Sequence, residues 1–594
     1  MFKTRPNARK HPIMDPASVL SVITFAFQSF KGCLQAFELF YTAQHIGADG
    51  DRLRAFLEFE RFKLLQWADK VGVGADHFQP KLNMNWQMVK LLLEQLHVLL
   101  TSAERLKKRY SLDICIEIVQ DGQGVSPTVD TSVARLINKL KPRFYTLASA
   151  VIQASNGPVK RLRWAVRDKD KLNGFIDEVR KITGDLYHLL EQAEKESVNA
   201  EYTDLMRGII SLSPNTESVG QIIEVVNHER SLDGSSQEVQ AAATLKQVRL
   251  LMGAEIRDDE AKQQSASTEV RAIMPKLRKL KRSLKPWDGK PLKWEGLDFA
   301  DYNGKQVLLQ WKTVEPSEWA KYEDPMKCLA VLLMSMTHES FRSLGCIGYC
   351  PMQDKGVHGI AYEMPDNTTN WEFKSLKKLI STLPFVSLAR RLELALAIAE
   401  TLLQLHTAGW MHKNLRSDNI IFLAPRGSDD KTFLSSKPYV VGYDFARPDT
   451  AEAAQKYTQL LPQTDLEAEL YRHPRARGVN REAYQKRFDL YALACVMVEL
   501  VTWKPLLEVH CENTQKSLRD DLSKAQTLKE AVELPSLQDL VGEMEAVGYL
   551  EHFAGPGVVH VIRRCASLEK AKEGEEALLT EQTVIVEKLA ACRV

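Results

Sequence analysis

The sequence predicts a multi-domain protein, an all-α helical bundle followed by an α+β region. Three observations carry that expectation. Through the N-terminal third, apolar residues recur at three- and four-residue steps, the period of buried helical faces, and strand alternation is scarce. From about Trp287 the pattern changes to a strand-like VLLQWKTV, Val307 to Val314, and then a helix-like CLAVLLMSM, Cys328 to Met336. Finally, 594 residues are several times the roughly 100 to 200 of a typical domain, so more than one core is expected.

The first helix has a readable start, since Asp15 can cap free N–H groups and Pro16 occupies the first turn, where its missing donor costs nothing. Its apolar stripe is Val19, Ile23, Phe27, Phe30, Leu34, Phe37 and Phe40. A second helix follows from Leu53, Phe56, Leu57, Leu64, Leu65, Ala68 and Val71, and a third from Trp86, Val89, Leu92, Leu93, Leu96, Leu99 and Leu100. Further helical patterns run through Val133 to Leu147, Leu172 to Leu190, Ala200 to Leu212 and Val239 to Met252. The run Val19 to Phe27 follows basic residues Lys3, Arg5, Arg9 and Lys10, as in a cleaved leader. Asp15 interrupts that pattern, no small-residue cleavage site follows, and Met14 is an alternative start.

A polar stretch, Glu255 to Val270, reads as a linker or exposed turn. Between Arg271 and Lys290, Arg271, Lys276, Arg278, Lys279, Lys281, Arg282, Lys285 and Lys290 face only Asp288 as a negative charge. That patch is a solvated connecting face or a site for anionic lipid head groups, and a third reading, nucleic acid, lacks the aromatic interleaving or binding motif that would accompany it.

Composition narrows the function. With 79 Lys+Arg against 77 Asp+Glu, the net charge of +2 gives no overall field of the kind a nucleic-acid binder uses. The 9 cysteines are odd in number and scattered, which fits a reducing compartment. Cys346, Cys350 and His358 make a poor zinc spacing, so no metal centre is expected. No stretch reaches the roughly 18 apolar residues of a membrane-spanning helix.

The segment ASVLSVITFAFQSFKGCLQAFELFYTAQHIGADGDRLRAFLEFERFKLLQWADKVGV resembles the opening of a HeLo domain, the fungal prion-inhibition-and-propagation domain. The likeness rests on the apolar first helix, the continuation through Cys33, Phe37 and Glu38, and a second helix ending in Trp67, Val71 and Gly72. It implies a membrane-targeting cell-death effector whose first helix inserts into the bilayer, with Val19, Ile23, Phe27 and Phe30 as insertion residues. The same stripe read from periodicity alone is the core face of a helix in a bundle.

Further on, QLHTAGWMHKNLRSDNIIF, Gln404 to Phe422, is similar to a protein-kinase catalytic loop, whose HRDLxxxN pattern places a base and a metal ligand around the substrate hydroxyl. His412, Lys413, Asn414 and Leu415 stand for the HRDL residues, and Asn419 for the magnesium-binding asparagine. Asn414 is the decisive departure, because a carboxamide has no basic carboxylate to accept a proton. In VVGYDFARP the metal-binding DFG triplet has two registers. Asp444, Phe445 and Ala446 match directly, keeping the metal ligand. The following Ala446–Arg447 pair instead places Gly442, Tyr443 and Asp444 there, losing it.

Downstream, YRHPR at Tyr471 to Arg475 resembles the end of an activation segment, with Arg475 where a glutamate is usual, and FDLYALACVMVEL resembles the helix whose aspartate, here Asp489, braces the catalytic loop. Lys312 is the candidate nucleotide-binding strand lysine. The run Met326 to Met336 has no glutamate to pair with it, and no GxGxxG precedes the strand.

The implied architecture is a HeLo-like bundle over 1–225, a helical and basic linker over 226–285, and a bilobal protein-kinase-like domain over 286–594, divided near residues 365 and 366. It is similar to that of mixed-lineage kinase domain-like cell-death proteins. The expected function is a cell-death or incompatibility effector whose bundle is regulated by a pseudokinase. It is expected in the cytoplasm and conditionally at the plasma membrane. Expected partners are membrane lipids, other copies on activation, and an upstream signalling protein or kinase, with no nucleic acid. One alternative is an active but atypical kinase using ATP and magnesium through Lys312, Asn419 and Asp444. The other is a non-catalytic scaffold.

Overall fold

Helix α1 (Pro16–Thr42) buries Ile23, Phe30, Leu34, Phe37 and Phe40, so the periodic stripe is a core face. The computed structural model describes residues 16–42, 44–45, 48–73, 79–118, 136, 140, 160–166, 168–228, 235–255, 284–449, 466–478, 481–513, 517–519, 522, 534–546, 548–567 and 575–592. The chain divides into two compact units, 1–209 and 210–594. The expected cap Asp15, the basic start, the alternative start Met14, the polar stretch 256–270 and basic residues 271–283 lie outside the described residues. So does almost all of the helical pattern from Val133 to Leu147.

After α1 come β1 (Gln44–His45), α2 (Ala48–Lys70), α3 (Trp86–Thr101) and α4 (Ala103–Tyr110). Helix α1 packs along α3, and Gly32 permits the approach: a Cβ there would lie 2.7 Å from the His97 ring. Asn85 caps α3 by accepting the Met88 N–H at 3.2 Å. Helix α2 is buried on nearly every side, including its charges. Arg61 pairs with Glu38 at 2.8 Å and Glu58 at 3.1 Å, and Glu60 lies 3.3 Å from Lys63 and 3.6 Å from Arg180. Buried charges persist only when paired in this way.

The structure departs from an all-helical bundle at β2 (Leu112–Ile118) and β3 (Lys160–Val166), which pair antiparallel from Leu112↔Val166 to Ile118↔Lys160, with β1 parallel to β3. The local signal is LDICIEI, where Leu and Ile alternate with Asp, Cys and Glu at period two. Helices α5 (Lys169–His188) and α6 (Gln192–Leu212) follow. Asp168 caps α5, and Phe175 of α5 packs on Phe40 and Tyr110 with ring centroids 5.9 and 5.3 Å apart.

The second unit begins with the end of α6, then α7 (Thr216–His228) and α8 (Ser235–Glu255). Helix α8 lies inside the expected 226–285 linker, yet its Leu245, Val248 and Leu251 belong to the second unit's main core. Strands β4 (Leu284–Pro286), β5 (Gly296–Tyr302), β6 (Lys305–Thr313), β7 (Cys346–Met352) and β8 (Val357–Glu363) form an antiparallel sheet in the order β4-β5-β6-β8-β7. Helix α9 (Trp319–Ser335) is inserted between β6 and β7.

Strand β9 (Trp371–Ser375), α10 (Leu376–Thr382), α11 (Leu388–Thr407), β10 (Trp410–Met411), β11 (Ile420–Pro425), α12 (Asp430–Ser435), β12 (Pro438–Val440) and β13 (Arg447–Pro448) come next. They form a three-stranded antiparallel sheet, β12-β11-β9, and a β10-β13 pair. The remainder is helical: α13 (Leu466–Glu469), α14 (Lys486–Thr502), α15 (Leu506–Asn513), α16 (Leu537–Ala546), α17 (Tyr549–Ala566) and α18 (Glu575–Ala591). Helix α14 is buried along its whole length and packs on α11 and α17.

Candidate functional site

Period two on β6 places Gln310 and Lys312 on one face, and both reach Asp444, which lies in the turn after β12. Lys312 Nζ is 3.3 Å from Asp444 Oδ2, and Gln310 Nε2 donates to Oδ1 at 3.2 Å. Asn414 Nδ2 donates to the same Oδ1 at 3.4 Å. The Phe445 ring caps the ammonium, with Nζ 3.5 Å from its centroid. Burial lowers the Lys312 pKa, with nearby Arg472 adding to that and Asp444 opposing it. Gln310 Oε1 accepts from Tyr362 OH at 3.2 Å and from the Gly442 N–H at 3.1 Å, so the turn is held to the strand at two points.

The loop carrying His412, Lys413 and Asn414 is fixed from below by Asp489 on α14. Its Oδ2 accepts the His412 N–H and its Oδ1 the Lys413 N–H, both at 2.8 Å. Oδ1 also accepts Tyr484 OH at 2.9 Å, while His406 Nε2 lies 3.0 Å from Oδ2. Burial alone would raise the Asp489 pKa, but His406, His412 and the Lys413 N–H hold it below the ordinary value. Lys413 itself sits at φ 65, a left-handed conformation uncommon outside glycine. Burial chiefly, and then Arg447, Arg472 and Arg481, press its pKa well down.

His412 is neutral by the same logic, its pKa lowered by burial. Its Nε2 donates to Val441 O at 3.1 Å and its Nδ1 accepts the Asn414 N–H at 3.2 Å, a single tautomer. Asn419 donates to Asn414 O at 2.7 Å, closing the loop on itself. The structure thus brings together Lys312, His412, Asn414, Asn419, Gly442, Asp444, Phe445 and Asp489. Tyr443 is buried on the His412 ring, with centroids 4.5 Å apart. Arg475 faces outward to Glu482 at 2.6 Å.

Helix α9 begins at Trp319, seven residues before the expected run, and carries Pro325 within it. It therefore does include a glutamate, Glu323, which pairs with Lys327 at 3.1 Å while Lys312 pairs with Asp444. Gln310, His406 and Tyr484 were not among the expected site residues. Gln310 had a local signal, lying two positions from Lys312 on one strand face, whereas Tyr484 had none. Among the described residues, no group of three or more His, Cys, Asp or Glu side chains converges for a metal.

Below this loop, Glu499 Oε1 accepts from Tyr471 OH at 2.6 Å, Ser417 Oγ at 3.1 Å and the Leu506 N–H at 2.9 Å. Burial pushes its pKa up to about 7 from the usual 4.5. Because the folded state binds the proton more tightly, this group's contribution is favourable at acid pH and is lost as pH rises from 4.5 to 7, about 3 kcal/mol in all. Glu499→Gln keeps the accepting oxygen and removes the charge. It is expected to flatten the fall in melting temperature between those pH values, as measured by calorimetry. An unchanged slope would show that Glu499 is not the titrating group.

In the first unit, Ile23 and Phe30 of α1 are buried, Phe27 is half-buried under Lys31, and the Val19 side chain lies outside the described residues. Among the described side chains of α1, the exposed large apolar residues are Leu20 at 59% and Phe25 at 53%. No single described helix is long and apolar enough to cross a membrane, and α14 with α15 passes only as a pair bent by 77°.

Residues 18–222 match the HeLo family, described as prion-inhibition and propagation, and residues 351–544 match a domain of unknown function, DUF7580. The chain is 27% identical over 184 residues to the heterokaryon incompatibility protein S of Podospora anserina strain S. It is 25% identical over 184 residues to heterokaryon incompatibility protein s of the same species. Each match covers 29% of this chain and 61% of the relative, so the chain spans less than two thirds of the length of these curated relatives. The N-terminal region is therefore a HeLo domain, homologous to that of heterokaryon incompatibility protein S.

Proposed function

We propose that this protein is a cell-death or incompatibility effector in which the HeLo domain is the acting part and residues 286–594 form a kinase-like domain that regulates it without catalysis. The effector half rests on the HeLo domain and its homology to heterokaryon incompatibility protein S. The bilobal reading is supported by a five-stranded antiparallel sheet with one helix inserted after the third strand, that strand bearing Lys312, and by Asp489 holding the backbone of the His412–Asn414 loop.

The observation that carries the non-catalytic part is the state of the cleft. Asn414 offers no base, and the Asp444 carboxylate is already taken by Lys312, Gln310 and Asn414. The β4–β5 connection, Trp287 to Glu295, holds one glycine, Gly289, where phosphate-cradling loops hold several. Asn419 and Asp444 are the oxygen donors that would hold magnesium with ATP. Both Asp444 oxygens are already engaged, by Lys312, Gln310 and Asn414, and those contacts would have to be given up first, so the residues fit that cofactor poorly.

In this reading the domain senses a signal, from an upstream protein or kinase, and the HeLo domain then self-associates at a membrane. Induced expression of the full chain in a filamentous fungus is expected to kill the cell, and Lys312→Ala is expected to leave the protein without phosphate transfer, as before. Labelled phosphate incorporated by the wild-type chain and lost in Lys312→Ala would favour the active-kinase reading. Survival of cells that accumulate folded protein, with or without contact with a heterokaryon-incompatible strain, would overturn the effector reading.

A further inference from the structure

Helix α8 touches both halves of the second unit. It packs on α9, beside the five-stranded sheet, and on α11, in the helical half. Leu245, Val248 and Leu251 share one core with Met326, Leu329 and Leu333 of α9 and Leu402 and Leu405 of α11. At α11, Gln404 Nε2 donates to Glu238 Oε2 at 3.2 Å. Where α11 ends, Gly409 at φ +77 lies so close to Arg249 that a Cβ there would collide with its guanidinium. Gly409 is three residues before His412. Helix α9 in turn packs on the Tyr443–Phe445 turn that holds Asp444.

The opposite side of α8 is tied to the residues before it. Buried Lys246 Nζ donates to Ser211 O in the last turn of α6 at 2.7 Å, capping a helix C-terminus where a cation is favoured. Gln247 Nε2 donates to Thr216 O at 3.4 Å, and Gln240 Nε2 to Asn227 Oδ1 at 2.7 Å, one at each end of α7. Residues 210–222 thus belong both to the HeLo match and to the second compact unit. Helix α8 is packed between the last residues of the HeLo match and helices α9 and α11, which adjoin the residues around Lys312 and Asp444.

We propose that α8 is a clamp across the two halves of the kinase-like domain, and that its seating is coupled to the Lys312–Asp444 pair, so that opening the cleft loosens residues 210–222 and releasing those residues loosens the cleft. The inference rests on the two-lobed reading above and concerns its regulation. Coupling of this kind is reciprocal, since each site shifts the other by the same factor. A merely structural helix would not respond to a change in the remote cleft.

Amide hydrogen exchange on the full chain tests it. Lys312→Ala, which removes the cleft pair without touching α8, is expected to raise exchange across Ser235–Glu255 about tenfold while α14 (Lys486–Thr502) stays protected. Val248→Ala is expected to raise exchange in α9 by a similar factor, again sparing α14. Unchanged α8 exchange in Lys312→Ala overturns the proposal, as does equal loosening of α14, which would report lost stability alone. Should Val248→Ala not fold, Glu238→Gln tests the same direction, and the Lys312→Ala arm still decides. Neither killing nor phosphate incorporation enters these readouts, so failure of the functional reading and failure of the clamp are told apart.

Discussion

Asp489→Ala is expected to destabilise the second unit by about 3 to 5 kcal/mol, the range for breaking a buried charged network by removing one partner. Its carboxylate accepts two backbone N–H groups and the Tyr484 hydroxyl and faces His406, and Asp489, His406, His412 and Tyr484 are all buried. Truncation leaves buried donors unsatisfied and a void beneath the loop, and those costs add. Asp489→Asn keeps the shape but turns an –NH2 toward one of the loop's N–H donors, so it is expected to recover only part of the loss. Urea-dependent amide exchange of α14 in the full chain measures both. An unchanged midpoint in the alanine variant would mean that the loop is held by its other contacts. The pH dependence follows the same partners. With its folded pKa depressed, Asp489 contributes stability above the ordinary aspartate range that is lost as pH falls through its lowered value.

Ile23→Asp is expected to unfold the α1–α3 packing, because the side chain is wholly buried and a carboxylate there has no partner. Costs above about 4 kcal/mol are usual for an unpaired buried charge. Leu20→Asp, on the exposed side of the same helix, is expected to stay within about 0.5 kcal/mol of the parent. Thermal unfolding by circular dichroism separates the two. If α1 enters the membrane, as the resemblance of its sequence to a HeLo domain implies, both variants lose killing although only one loses its fold. Killing retained by a folded Leu20→Asp chain would remove α1 insertion from the mechanism while leaving the HeLo assignment in place.

The helical faces were legible because they are local. In α1 and α3 the spacing of Ile23, Phe30, Leu34 and of Val89, Leu92, Leu96 already specifies which side is buried. The small β2–β3 sheet was harder: LDICIEI alternates, but its partner begins at Lys160, and the pairing joins segments far apart in sequence. Helix α9 was legible only from Met326 onward, because Pro325 reads as a break, whereas the helix continues through it from Trp319.

In the cleft, residue chemistry was visible and partnership was not. That Asn414 cannot act as a base follows from its side chain alone, and the order Lys312, His412, Asn419, Asp444, Asp489 is a property of the sequence. Which charge Lys312 meets, that Tyr484 and His406 share Asp489, and that α8 packs with residues 319–407 were decided only by the tertiary structure. The physical reason is that periodicity and side-chain chemistry act over a few residues. Ion pairs and buried hydrogen bonds instead select, among many groups of suitable type, the ones that folding brings within about 3 Å.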